Sequence, residues 1–203
     1  MALDTWEEKY RSREGELRVP DALLVKTAGA MRPGRALDVA CGTGRNSLWL
    51  AQQGWEVTAV DGSPRAIEML RDYAAERNLK VDACVADLEK RGFPITPEQW
   101  DLIASCYYFD RDVWEEAKRG LVPGGVMVAI ALMVEPGKER SPYRVQSDEL
   151  RKFFEGWEIL DYRESTDQAH AAIAEIAARR PLTSPDGSDP APASAPYTER
   201  HAP

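Results

Sequence analysis

The stretch Leu37-Asp38-Val39-Ala40-Cys41-Gly42-Thr43-Gly44-Arg45-Asn46 decides how this chain is read. A short apolar run, Ala36 to Ala40, meets a turn holding Gly42 and Gly44, and an apolar-striped segment with Leu48, Trp49 and Leu50 follows up to Gly54. That order predicts a strand, a tight turn and a helix. Glycines there let backbone approach a ligand closely. The helix start beyond them offers unpaired N–H groups and a partial positive charge. Such a turn suits a nucleotide-like ligand above the carboxyl ends of parallel strands, although a Gly-rich turn by itself also serves as plain structure.

Working outward, strand and helix signals alternate. Trp55 to Val60 reads as a strand, and Ser63-Pro64 opens a helix that runs to Asn78 with Ile67, Leu70 and Ala74 on its apolar stripe. Val81 to Val85 and Trp100 to Cys106 read as strands. Asp112 to Arg119 reads as a helix ended by Pro123-Gly124-Gly125, and Val126 to Met133 as a strand buried on both faces. Asp148 to Phe154 follows as a short helix capped by Ser147, then Trp157 to Tyr162 as a strand. Ala169 to Arg180 is ambiguous: its alanines favour helix and its position favours a strand pairing back, and strand is preferred. The expected fold class is α/β, a single Rossmann-like doubly wound sheet, mostly parallel with an antiparallel C-terminal strand and helices on both faces. Residues 1–181 form one domain, with 1–30 as an N-terminal helical cap in which Trp6 and Tyr10 pack and Asp21 caps a helix through Lys26. The stretch 182–203, rich in Pro, Ser, Ala and Asp, is expected to be disordered.

Composition narrows the function. At 203 residues the chain fits one domain, and its 43% hydrophobic content supplies a core. No window approaches a membrane span, and the start lacks a signal-peptide pattern, so the expected compartment is the cytoplasm. Cys41, Cys84 and Cys106 have no disulfide or metal-type spacing, and Cys41 reads as filler of a small buried space. Two histidines, His170 and His201, leave little material for metal sites or His-based triads, and no metal is expected. A net charge of −8 disfavours a nucleic-acid partner. Monomer and homodimer both remain open.

Carboxylates sharpen the reading. Asp61 closes the second strand, where it can accept hydrogen bonds from both ribose hydroxyls of an adenosyl group, with Gly62 and Ser63 continuing the wall. Asp87, ahead of Leu88 beyond the third strand, is placed to meet an adenine. The competing readings are a turn-forming Asp before Gly for Asp61 and a helix cap for Asp87.

Asp38-Val-Ala-Cys-Gly-Thr-Gly44 resembles the first motif of class I S-adenosylmethionine-dependent methyltransferases, and Leu121-Val-Pro-Gly-Gly125 resembles the loop before their fifth strand. Trp6-x-x-x-Tyr10 and Gly44-Arg-Asn-Ser-Leu-Trp-Leu50 look most like the tellurite-resistance group of that class. The resemblance covers about residues 5–180 and implies S-adenosyl-L-methionine as cofactor. It implies that Ala40, Gly42 and Gly44 line the methionine part, Asp38 supports its amino group, Asp61 holds the ribose, Asp87 and Leu88 frame the adenine, and Ser105 sits near the sulfonium. One departure stands out: Ala40 replaces the usual first glycine, so the turn is expected to avoid positive φ there.

The substrate mouth is expected at Cys106-Tyr107-Tyr108-Phe109-Asp110. Tyr107 and Tyr108 are candidates for an aromatic wall, or one of them packs under the next helix. Tyr10, Arg11 and Arg18 in the cap and Arg144 after the fifth strand are candidates to cover the site and bind an anion, against the alternative of solvated surface arginines. Catalytic candidates are Tyr107, Tyr108 and Tyr10. No Asn/Asp-Pro-Pro-Tyr motif is present, which argues against methylation of nucleic-acid bases. The favoured reading is methyl transfer to a small-molecule acceptor. An NAD-dependent oxidoreductase would need glycine at Ser47 and a Tyr-x-x-x-Lys pair. A non-catalytic cofactor-binding protein is the third reading.

Overall fold

The decisive stretch forms β1 (Arg35–Val39), the turn, and α2 (Arg45–Gln52). The computed structural model describes residues 19–135, 137, 141–166 and 171–182. Trp6, Tyr10, Arg11 and Arg18 of the expected cap lie outside the described residues, as does the expected tail from residue 183 onward.

β1 pairs in parallel with β2 (Glu56–Asp61) on one side and β4 (Trp100–Cys106) on the other. β3 (Val81–Val85) extends the sheet beyond β2, and β5 (Leu121–Leu132) lies beside β4. β7 (Ala172–Arg179) runs antiparallel between β5 and β6 (Glu158–Thr166), so the sheet order is β3-β2-β1-β4-β5-β7-β6. The doubly wound, mostly parallel α/β sheet is therefore present as expected.

Period-two alternation sends neighbouring residues to opposite faces. On one face Leu37, Val39, Ile103 and Met127 pack on Val113, Trp114 and Ala117 of α4 (Arg111–Gly120) and on Leu150 of α5 (Glu149–Phe153). On the other, Ala36, Leu102 and Val128 pack on Leu23, Leu24 and Ala28 of α1 (Ala22–Ala28) and on Leu50 of α2. Leu48 of α2 and Ile67, Leu70 and Ala74 of α3 (Pro64–Glu76) close over Ala59 and Ala83. Ser63 caps α3 as expected, its hydroxyl accepting from the Ala66 amide at 3.1 Å.

Three local expectations are corrected. Pro123-Gly124-Gly125 does not end the helix, which stops at Gly120; it lies inside β5 as a bulge. Trp100 pairs with Leu121 and Leu102 with Val126, so extra residues loop out of register there. Gly125 lies so close to neighbouring backbone that a Cβ would sit 2.9 Å from the Val122 carbonyl oxygen. Ser147 does not cap α5: its hydroxyl donates to Glu164 at 2.8 Å, and the preceding turn is held from β6 through the Asp148 amide to the same carboxylate. Asp21 stands at the N-cap position of α1 but makes no side-chain cap bond.

The ambiguous alanine-rich segment is a strand. Ala174, Ala177 and Ala178 are fully buried between sheet neighbours and helices. Burial and ladder pairing on both sides override alanine's helix preference.

Candidate functional site

β1 is where the strand order turns back, since the chain moves outward from it through β2 and β3 and then returns to β4 on its other side. A crevice opens at the carboxyl ends of strands around such a reversal. The turn leaving β1 is wound through left-handed conformations at Ala40 (φ 55°), Gly42 (φ 56°) and Gly44 (φ 83°). The expectation that Ala40 avoids positive φ is thus corrected. A left-handed alanine costs about 1–2 kcal/mol. The turn holds it there while the next amide, that of Cys41, donates to the Val60 carbonyl at 3.0 Å. Gly44 has a second reason to be glycine: a Cβ would lie 2.1 Å from Leu70 Cδ1. As N-cap of α2 it brings no side chain to the helix start. Cys41 is buried against α2 and α3 as expected, and burial pushes its thiol well above the ordinary range.

The carboxylates divide by environment. Asp61, 8% exposed, accepts the Gly42 amide on Oδ2 at 2.8 Å and the Ser63 amide on Oδ1 at 2.9 Å. It therefore ties the two strand-end turns together, with half-buried Gly62 between them. Asp38, 2% exposed, accepts the Ser47 hydroxyl at 2.6 Å. Burial pushes its carboxyl up to about 7, against the lowering effect of that bond and with the Asp21 and Asp61 charges adding to it. Asp87 is more open. Its Oδ1 accepts the Lys90 amide at 3.2 Å and its carboxylate pairs with Lys90 Nζ at 2.9 Å. The bond from Lys90 lowers its pKa, so in the structure this side chain caps a turn. Leu88 beside it is buried in the core.

At the end of β4, Ser105 is fully buried and its hydroxyl is committed. It donates to the Tyr108 carbonyl at 3.1 Å and accepts from Trp114 Nε1 at 3.0 Å. The two tyrosines part company. Tyr107 has φ 66°, its amide donates to the Ile130 carbonyl at 2.7 Å, and the Arg45 guanidinium lies 5.4 Å over its ring. Tyr108 instead packs against the core, its buried hydroxyl without a hydrogen-bond partner. Burial raises that hydroxyl's pKa, and the charges of Asp110 and Glu89 add to the effect. Arg144 donates to the Met133 carbonyl at 2.8 Å and pairs with Glu135 at 3.5 Å. It lines a cleft of about 540 Å³ with Phe109–Asp112 on one wall and Ser141–Tyr143 on the other; Tyr107 and Tyr108 do not line it. Tyr10 and Arg18 lie outside the described residues.

Sequence reading missed a polar cluster at the start of α2. Asp21, 8% exposed, receives Arg45 Nη2 at 2.8 Å and Asn46 Nδ2 at 2.9 Å, and its own amide donates to Asn46 Oδ1 at 3.0 Å. The signal was the run Arg45-Asn46-Ser47, three polar side chains in the first turn of a helix with an apolar stripe. The partner of that run is 24 residues away in sequence, which no local pattern reveals. Among the described residues no group of three or more His, Cys, Asp or Glu side chains is placed to hold a metal ion. No described helix is long and apolar enough to cross a membrane.

The donor set fits an adenosyl sulfonium amino acid. Buried carboxylates suit its positive charges, a carboxylate on the β2 end suits ribose hydroxyls, and a helix start without a side-chain cap suits its anionic end. Known proteins resemble the chain over most of its length. The chain is 29% identical over 176 residues to "Hemagglutinin 1" of Eikenella corrodens, a match covering 82% of this chain and 58% of that protein. It is 26% identical over 173 residues to the "Probable S-adenosyl-L-methionine-dependent methyltransferase TehB" of Haemophilus influenzae, covering 80% of this chain and 59% of the relative. The chain thus spans under two thirds of the length of these curated relatives. The crystal structure of TehB from Haemophilus influenzae superposes with a TM-score of 0.70 at 24% identity, over 86% of this chain and 67% of that one. The profile of the family described as "Tellurite resistance protein TehB" matches residues 4–179, and on that match over most of its length the chain belongs to the TehB family.

Proposed function

We propose that this chain is an S-adenosylmethionine-dependent methyltransferase that methylates a small-molecule acceptor: a thiol, a metalloid oxyanion or a small metabolite. The observation that carries the reading is Asp61. Its two oxygens brace the Gly42 and Ser63 amides, which fixes a buried carboxylate at the end of β2, and a carboxylate held there suits the hydroxyls of a ribose. In this reading Ala40, Gly42 and Gly44 line the methionine end, Asp38 meets the amino group, Asp87 and Leu88 frame the adenine, and Ser105 borders the sulfonium through its backbone. The bound cofactor supplies an activated methyl group. The protein's part is to align an incoming lone pair with the bond that breaks and to exclude water, and proximity of this kind supplies much of the rate.

The mouth favours an acceptor that arrives already nucleophilic. Burial raises the Tyr108 hydroxyl and the Cys106 thiol, which makes both poor bases near neutral pH. A thiolate or an oxyanion needs no strong base. Tyr107 is the aromatic wall in this reading, and Arg144, together with Arg18 and Tyr10 of the preceding segment, is assigned to the acceptor side.

Two experiments test the proposal. Calorimetric titration with S-adenosylhomocysteine and with NAD is expected to show binding of the first alone; tight NAD binding with no S-adenosylhomocysteine binding would overturn it. The hydroxyl of Ser47, bonded to Asp38 where an NAD-binding turn carries its third glycine, argues against NAD. A screen for S-adenosylhomocysteine release over thiol, selenite, tellurite, phenol and amine acceptors is expected to find turnover. Cofactor binding with no turnover on any of these would favour a non-catalytic binding protein.

A further inference from the structure

The cleft of about 540 Å³ beside Arg144 lies between the stretch that follows β4 and the stretch that follows β5. Both of its walls are anchored. On the first, Asp110 caps α4, accepting the Val113 amide at 2.9 Å. Arg111 pairs with Glu149 of α5, and its guanidinium lies 5.6 Å over the ring of Phe109. On the second, Val145 ties the chain next to Arg144 to the end of β5. Its amide donates to the Leu132 carbonyl at 2.9 Å, and its carbonyl accepts the Val134 amide at 2.9 Å.

The size of the cleft selects the kind of ligand. Clefts of about 300–1,000 Å³ take organic molecules. An oxyanion built of three water-sized oxygens fills only about 90 Å³. The lining is mixed in a way that suits the larger guest. Phe109 is a buried apolar ring, whereas the ring of Tyr143 is 44% exposed. Arg144 supplies a cation. Among the described residues its partners, the Met133 carbonyl and Glu135, both meet Nη1. That fixes the guanidinium, and its Nε–Nη2 edge is the one that can meet a carboxylate in two parallel bonds. Asp110 and Asp112 on the opposite wall disfavour a second negative charge beside them, and Arg111 between them is engaged by Glu149. We propose that this cleft receives the body of the methyl acceptor. The acceptor is then an organic molecule with a single carboxylate, held by Arg144, and an apolar part laid against Phe109 and Tyr143, rather than a bare metalloid oxyanion. The proposal rests on the methyl-transfer reading above and narrows it.

The test uses two thiols that differ in charge alone, para-mercaptobenzoate and its amide, with selenite and tellurite beside them. Calorimetry on the full chain loaded with S-adenosylhomocysteine is expected to show the acid binding about tenfold or more tighter than the amide, the scale for a charged hydrogen bond, and tighter than either oxyanion. Arg144→Gln is expected to abolish the preference for the acid and to leave the amide within about twofold. Tyr143→Ala is expected to weaken acid and amide together. With S-adenosylmethionine in place of its product, methyl transfer to the acid is expected at a lower KM than to the amide. Equal binding of acid and amide, a preference for selenite or tellurite, a preference for the acid that survives in Arg144→Gln, or binding of the acid with no methyl transfer to it would each overturn the proposal. If Arg144→Gln does not fold, Arg144→Lys is expected to lose part of the preference, and an unchanged preference there overturns the proposal as well. Failure of the unaltered protein to bind S-adenosylhomocysteine would instead sink the cofactor reading, and this inference with it.

Discussion

Asp61 and Asp38 show how two carboxylates on adjacent strands take different work. Asp61 is satisfied by two backbone amides from two turns. Asp61→Asn replaces one acceptor oxygen with a donor that meets an N–H, so it is expected to weaken S-adenosylhomocysteine binding by about 1–3 kcal/mol. Calorimetry checks this, and unchanged affinity would remove Asp61 from the site. Asp38 has one short bond to Ser47 and otherwise buried surroundings that hold its carboxyl up at about 7. A carboxyl raised in the folded state binds its proton more tightly there than in the unfolded chain. Its contribution to stability is present below the ordinary carboxylate range and is lost as pH rises through about 7. Asp38→Asn is therefore expected to gain on the unaltered protein between about pH 4 and pH 7, by an amount on the order of 4 kcal/mol in full. Urea unfolding of both forms at acidic and neutral pH measures it; parallel stability curves would contradict it.

At the scale of elements, the turn between β1 and α2 is the part under most backbone strain. Gly44→Ala is expected to destabilise by about 2–4 kcal/mol, combining a left-handed alanine with overpacking. Adding Leu70→Ala removes the clash partner but not the backbone cost. The double variant should therefore be less destabilised than the two single changes summed, as a thermal-unfolding cycle would show. Ala40→Gly should be neutral or stabilising by up to about 1 kcal/mol, because it relieves a left-handed alanine at some cost in unfolded-state entropy. The elements themselves were legible where periodicity is strong: the strand read as Trp100 to Cys106 has those bounds in the structure. Pro123-Gly124-Gly125 was misread because turn residues and bulge residues are the same types, and only the neighbouring strand tells them apart. Asp21 was misread because a cap and a long-range ion pair begin from one residue at one position. The carboxylates of the candidate site were visible from their order along the chain, whereas which of Tyr107 and Tyr108 packs inward was not, because the core that receives Tyr108 is built by residues distant in sequence.

Across the whole molecule, stability is graded from the middle of the sheet outward. β1, β4 and β5 are flanked by strands on both sides and covered on both faces, while β3 and β6 are edges with partly exposed side chains. Amide exchange is expected to be slowest in Leu102–Ala104 and Val126–Ala131 and faster in β3 and β6. Mass-spectrometric exchange tests this, and equal protection in β6 and β4 would contradict it. The place of β7 has a consequence for synthesis. Residues 172–179 emerge from the ribosome after β6, yet they lie between β6 and β5. Until they arrive, the nascent chain carries β5 with an open edge and apolar side chains from Val126 to Ala131, and β6 has no neighbour to pair with. Open apolar edges of this kind invite pairing with other chains. The vulnerable moment in this protein's life is thus the interval before the last strand slots in, when a stalled or truncated chain is one step from a finished sheet and is at its most prone to aggregate.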